Sequence, residues 1–249
     1  MTTKANKPLG FILYEGPSLI DGSPIVAIAT AVFSKANNRK TGDMVQVLIL
    51  RADMTPTDAI ATGSDASICG ACPHRGALRT NRRNGKAKKV RTCYVNVGQG
   101  PQSVYAAYKR GRYVHGTMCD VVRESDRKAV RLGTYGDPAA VPFYVWKYLL
   151  QCPDIKRTGY THQWRTCNQD MRSLCQASCD SVLDAADAAQ MGWHAFLVIP
   201  HNAPAPVTGR RSIQCLADRN GLDCATCGAC NGSKIDVWIN AHGTAKAFV

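Results

Sequence analysis

The chain has 249 residues, 45% of them hydrophobic and 20% charged, with 31 Lys and Arg against 18 Asp and Glu. This balance excludes a disordered or fibrous chain, and no run approaches the roughly 18–20 apolar residues that would cross a bilayer. Residues 1–9 lack the charged-then-apolar order of a secretory signal, so a cytoplasmic protein without a membrane partner is expected.

Residues 9–14, 24–33 and 45–51 are rich in β-branched and aromatic side chains and are separated by Gly, Asn and Asp, which predicts three strands. Thr55-Pro56 then opens a short helix with a capping hydroxyl and a first-turn proline. Together these form a β-rich N-terminal segment over 1–66. From 67 to 249 the pattern changes to strand–helix alternation. A strand is predicted at 91–97, a helix at 101–110, a strand at 130–135 and a helix at 138–151. A brief strand at 159–162 and another at 174–178 follow, and Asp180 then caps a helix ending near Met191-Gly192. Strands at 195–200, 213–216 and 235–240 complete the set. Alternation of this kind implies parallel pairing through right-handed crossovers. Up to eight strands from residue 45 onward permit a complete or partial (β/α) barrel, with an open doubly wound sheet as the other arrangement. The expected fold class is therefore α/β: a barrel-like parallel sheet with an N-terminal β-rich segment and cysteine-rich loops, all in one compact unit.

In such folds the polar residues just past the strand ends meet at one mouth. Here they are Asp137, then Gln163, Trp164 and Arg165, then Cys179, Asp180 and Ser181, then His201 and His242-Gly243. Asp137, His162 and Arg165 form the candidate catalytic set. His162 titrates near neutrality when unperturbed, and Arg165 offers two parallel N–H bonds to an anion. Ordinary caps and half-buried strand ends are the bland alternative for each.

The charge is concentrated. Between Arg75 and Arg131 stand 15 Lys or Arg against Asp120, Glu124 and Asp126, and the basic loop 75–91 has eight basic residues and no acidic one. A field of that sign gathers phosphate-bearing partners, so Arg82, Arg83, Lys86, Lys88, Lys89 and Arg91 are candidate contacts to nucleic acid or a nucleotide; a solvated loop is the alternative. Tyr105, Tyr108 and Tyr113 interleave with Lys109, Arg110 and Arg112 as base-stacking residues do, but their spacing favours packing against the core. Gly98 and Gly100 precede a helix whose first N–H groups suit a phosphate only weakly.

Twelve cysteines in a reducing compartment point to metal or catalytic duty rather than disulfides. Cys224, Cys227 and Cys230 are spaced by two residues, with Cys215 nine residues upstream. Three thiols on one tight loop plus a remote fourth are the habit of iron–sulfur clusters, whereas zinc ribbons favour two separated pairs. A C-terminal cysteine loop over 215–230 is therefore expected to hold an iron–sulfur cluster, with zinc as the alternative. Cys69, Cys72 and Cys93 form a second group across the basic loop. Three thiols leave a coordination position for His74, His115, Cys119 or an exogenous ligand. Cys119, Cys152, Cys167, Cys175 and Cys179 are expected to be ordinary core residues.

The motifs Ile68-Cys69-Gly-Ala-Cys72-Pro-His-Arg75, Cys93-Tyr-Val-Asn-Val-Gly-Gln-Gly100, Arg131-Leu-Gly-Thr-Tyr-Gly-Asp-Pro138 and Gly159-Tyr-Thr-His-Gln-Trp-Arg165, with the C-terminal cysteine loop, resemble a cysteine-rich family encoded by bacteriophages and mobile elements. More loosely, the group ending in Cys93-Tyr94 is similar to phage gene-product families with radical-SAM-like barrels. This chain has Cys-x2-Cys-x20-Cys in place of the Cys-x3-Cys-x2-Cys loop of radical SAM enzymes. The resemblance implies a phage-type protein at work in a bacterial host. Two functions follow as expectations. One is an iron–sulfur enzyme acting on nucleic acid or a nucleotide; the other is a non-catalytic, zinc-stabilised nucleic-acid-binding protein of phage replication or host takeover. A host protein is a further possible partner.

Overall fold

The computed structural model describes residues 7–36, 38–80 and 87–242, with the main chain alone for 77–80 and 87–90. The first strands match their predicted positions: β1 is Gly10–Pro17, β2 Pro24–Thr30 and β3 Val45–Arg51. Helix α1, Pro56–Thr62, starts at Thr55, whose hydroxyl accepts from the Asp58 N–H, and ends at left-handed Gly63. A single turn, α2 (Ala66–Cys69), and a 3-10 turn at Pro73–Arg75 lead into a two-stranded antiparallel ribbon, β4 (Ala77–Thr80) and β5 (Ala87–Val90). Next come α3 (Gly100–Lys109), β6 (Val114–His115), α4 (Met118–Glu124) and β7 (Val130–Tyr135). The remainder is β8 (Arg157–Thr161), β9 (Gln176–Cys179), α5 (Val182–Gln190), β10 (Ala195–Ile199), β11 (Ser212–Gln214), α6 (Leu216–Arg219), α7 (Cys224–Cys227) and β12 (Asp236–Asn240).

Ten strands form one sheet in the order β11-β12-β10-β9-β8-β7-β3-β2-β1-β6. Seven of its nine pairings are parallel; β1–β2 and β2–β3 are antiparallel. The sheet is not closed: β11 and β6 stand at its two ends. The fold is thus mixed α/β with a mostly parallel open sheet, and the complete barrel does not describe it. β1–β3, from the N-terminal segment, lie in the same sheet as β7–β12. Ile25 to Ala29 in β2 and Val47 to Leu50 in β3 are buried in succession, as strands covered on both faces require. Trp146, Trp164 and Trp193 are fully buried alongside them.

Three predicted elements differ. Residues 91–96 form no strand; the Cys93 N–H is instead given to the His74 carbonyl, joining the two roots of the ribbon. The helix predicted at 138–151 is three 3-10 turns, Pro138–Ala140, Phe143–Val145 and Lys147–Gln151. Pro142 is the cause, since it lacks an N–H and pushes the preceding residue out of helical space; Val141 is extended, at φ −108° and ψ 140°. Asp180 does not cap α5. Ser181 does, its hydroxyl accepting from the Asp184 N–H.

Strand β7 ends in a turn at Gly136, whose φ of +82° belongs to the left-handed region. A Cβ there would stand 2.8 Å from both the Ile49 carbonyl oxygen and the Ile49 Cβ. Gly136→Ala is therefore expected to lower stability by about 2 kcal/mol or more, from backbone strain plus a clash with the main chain of β3. Urea denaturation followed by far-UV circular dichroism measures it, and an unchanged midpoint would refute the tight approach.

Candidate metal centres

Strands β7, β8 and β9 run parallel, so their carboxyl ends share one edge of the sheet and the residues just beyond them meet. Asp137 follows β7, His162 and Gln163 follow β8, and Asp180 follows β9. Asp137 is buried. Its carboxylate accepts from the Ala139 N–H (2.9 Å), the His162 N–H (2.9 Å) and Gln163 Nε2 (3.3 Å). Burial raises its pKa, while these hydrogen bonds work the other way. Gln163 extends the chain of contacts: its Nε2 donates to the Cys69 carbonyl (3.1 Å) and its Oε1 accepts from the Ala71 N–H (3.2 Å). Asp137 therefore meets His162 through the main chain, not the ring. It is a strut that pins the Cys69–Cys72 loop to the strand ends.

The ring of His162 spans two partners, Asp180 at 3.2 Å through Nε2 and the Cys72 thiol. Burial works to lower its pKa, but the hydrogen bonds to Asp180 and Cys72 dominate and hold it up at about 10. His74 approaches the other oxygen of the same carboxylate, Nε2 to Asp180 Oδ1 at 2.9 Å, and its Nδ1 lies 2.7 Å from the Thr92 hydroxyl. Burial works to raise the Asp180 pKa, yet the two imidazoles hold it well below the usual carboxylate range. Among the described residues, His74, His162 and Asp180 are the only three His, Cys, Asp or Glu whose ligand atoms all lie within 4.8 Å of one another.

Cys69, Cys72 and Cys93 gather at this edge: Cys72 and Cys93 both add to the rise of the Cys69 thiol, and Cys72 adds to that of Cys93. Burial is the largest cause raising the Cys69 and Cys93 thiols. Arg91 opposes that rise at Cys93; its Nε is buried without a hydrogen-bond partner, and its Nη1 donates to the Val95 carbonyl at 3.0 Å. Arg91, expected on nucleic acid, is thus turned inward beside the thiols. The ribbon leaves from this point: Cys72 and His74 stand at one root, Thr92 and Cys93 at the other. Lys88 and Lys89 lie on β5, of which the main chain is described, and Arg82, Arg83 and Lys86 lie outside the described residues.

The C-terminal cysteines form a second centre. Cys215, Cys224, Cys227 and Cys230 line one small cleft, partly open to solvent, with Thr158 and Tyr160 of β8, Ile213 of β11 and Val237 of β12. Local sequence builds it. Asp223 caps α7 by accepting from the Thr226 N–H at 2.8 Å, and Gly228, at φ 60°, turns the chain back so that Cys230 returns beneath. The Cys224 N–H binds the Lys40 carbonyl and the Cys215 N–H the Trp238 carbonyl, which anchors the loop on both sides. Arg131 of β7 lies beside Cys224 and Cys230 and counters the burial that raises the Cys224 thiol. Its Nη2 donates to the Tyr94 hydroxyl at 2.6 Å, while its Nε is buried without a partner. Burial pushes the Cys230 thiol up to about 12, against a hydrogen bond with Tyr160.

The expected residues thus divide. All seven candidate thiols fall into the two anticipated groups, and Asp137 and His162 reach the sheet edge. Arg165 does not: its guanidinium stacks on Trp164, 3.8 Å from the ring centroid, and binds Asp184 and Asp187 of α5. Tyr105 and Tyr113 are buried and Tyr108 bonds Glu15, so the tyrosines pack rather than stack on bases. Cys152, Cys175 and Cys179 are buried core residues. Arg131 and Thr92 escaped the sequence reasoning as site residues, since a lone arginine inside a strand or a lone threonine in a loop carries no pattern. Comparison of the chain with protein-family models, curated proteins and solved structures finds no match.

Asp137→Asn retains shape but turns an amide N–H₂ toward donors. It should cost about 1–3 kcal/mol, the penalty for a buried donor left without an acceptor, and should shift the His162 ring signals in NMR spectra. Wild-type stability together with unmoved His162 resonances would contradict the strut.

Proposed function

We propose that this is a phage-type iron–sulfur protein acting on nucleic acid or a nucleotide, with one centre held by Cys215, Cys224, Cys227 and Cys230 and a second bound by Cys69, Cys72 and Cys93. One observation carries the reading. Each thiol group is accompanied by an arginine, Arg131 or Arg91, whose Nε is buried without a hydrogen-bond partner. An unsatisfied buried guanidinium nitrogen is costly unless something anionic faces it, and a thiolate-ligated cluster is anionic. Spacing supports a cluster over zinc. Three thiols two residues apart on one tight loop with a remote fourth are the habit of iron–sulfur clusters, whereas zinc ribbons favour two separated pairs.

When bound, a cluster with three cysteine ligands supplies electron transfer and one iron position not taken by the protein. The chain's own residues do the rest. Asp137 and Gln163 fix the Cys69–Cys72 loop against the strand ends, Arg91 and Arg131 balance negative charge, and the ribbon of β4 and β5 brings the basic stretch to the edge site. The seven parallel strands β3 and β7–β12 serve as an open, partial barrel that presents this edge. Because both roots of the ribbon carry site residues, a phosphate backbone bound along β5, where Lys88 and Lys89 stand, would approach the thiols.

Two outcomes are expected. Protein purified without oxygen should be brown, absorb near 400 nm and contain iron and acid-labile sulfide, and Cys224→Ser should remove part of that iron while leaving the rest. Colourless protein with stoichiometric zinc would refute the iron–sulfur reading in favour of a zinc-pinned binding protein. Lys88→Gln and Lys89→Gln should each weaken single-stranded DNA or RNA binding and flatten its dependence on log salt by about one unit or less; unchanged slopes would remove the ribbon from the interface.

A further inference from the structure

We propose that His74, His162 and Asp180 bind a divalent first-row transition-metal ion, a site distinct from the two thiol groups. The inference goes beyond the iron–sulfur reading and stands if that reading fails. Two imidazoles and one carboxylate on a single face, with the remaining positions open, form the donor set that holds ferrous iron, manganese or zinc for chemistry.

The geometry favours a cation among the three. Both Nε2 atoms converge on the one carboxylate, His74 at 2.9 Å from Oδ1 and His162 at 3.2 Å from Oδ2. Neighbouring ligands around a metal, each bound at about 2.1 Å, stand about 3.0–3.4 Å apart, so little movement is needed to close the shell. The His74 ring is held from behind through its other nitrogen, Nδ1, by the Thr92 hydroxyl at 2.7 Å, and the Cys72 thiol lies beside the His162 ring. An outer partner of this kind fixes the tautomer that leaves Nε2 free to bind a metal. The rings meet edge to face, with centroids 5.7 Å apart. The three side chains keep between 17% and 30% of their surface exposed, so an ion can enter and a further ligand can reach it. That ligand has a natural source: the ion sits at the root of the basic ribbon, where a phosphoryl oxygen of bound nucleic acid or nucleotide would complete the shell.

Manganese separates this site from the cysteines, because Mn²⁺ prefers nitrogen and oxygen donors to thiolate. Anaerobically purified protein is titrated with Mn²⁺, and free ion is followed by its electron paramagnetic resonance signal, with Co²⁺ as a second probe. One ion per chain should bind. His74→Ala and Asp180→Asn should each weaken binding at least roughly tenfold, the loss expected even for an outer-shell partner, and His74→Gln serves as a milder variant whose folding is checked by circular dichroism. Cys224→Ser should bind Mn²⁺ as the wild type does, even where its iron content falls. The proposal is overturned if neither ion binds the wild type stoichiometrically, if Asp180→Asn binds as tightly as wild type, or if Cys224→Ser abolishes binding.

Discussion

A single buried carboxylate, Asp137, holds the working edge of the sheet together. It closes the turn after β7 through Ala139, fixes the main chain after β8 through His162, and reaches the cysteine loop through Gln163 and Cys69. Its own N–H binds the Ile68 carbonyl at 2.6 Å, so the loop is tied from both sides. A carboxylate out of water is costly unless its lone pairs are filled. The partners of Asp137 are therefore obligatory, and three segments distant in sequence share one geometry because of them.

Around this strut two arginines stand beside the thiol groups. Arg91 lies beside Cys93, and Arg131 beside Cys224 and Cys230. The two places are linked by adjacent residues: the Cys93 N–H binds His74 at the edge site, and the neighbouring Tyr94 hydroxyl receives the Arg131 guanidinium beside the C-terminal cavity. The two groups are thus joined through the single peptide link between Cys93 and Tyr94. The root of the basic ribbon belongs to the same network, so whatever the ribbon holds is held within reach of the titratable groups.

Much of the fold was legible in short patterns. The strands at 24–30, 45–51, 130–135 and 236–240 announce themselves by β-branched runs bounded by turn residues, and α1 by Thr55-Pro56. The failures have local causes. Residues 138–151 have apolar periodicity suited to a helix, but Pro142 removes a donor and dictates an extended Val141. Residues 91–96 have strand-like composition, but the Cys93 N–H is given to the His74 carbonyl at the ribbon's other root. Asp180 has the residue type of a cap, and Ser181 beside it has the hydroxyl that does the capping.

The sequence alone singled out the thiols: three at two-residue spacing raise the expectation of metal chemistry because few other arrangements need three sulfurs on one turn. It also localised the positive charge, since charge is additive along a chain. Tertiary structure decided the neighbours. Arg165 was the expected anion ligand, yet it is spent on α5 carboxylates, while Arg131, which the sequence did not single out, lies beside the C-terminal thiols. His74, His162 and Asp180 are 88 and 18 residues apart in turn, and only the parallel register of β8 and β9, with the ribbon root folded over them, brings two imidazoles onto one carboxylate. Contacts of that kind depend on strand order, which no local spacing encodes.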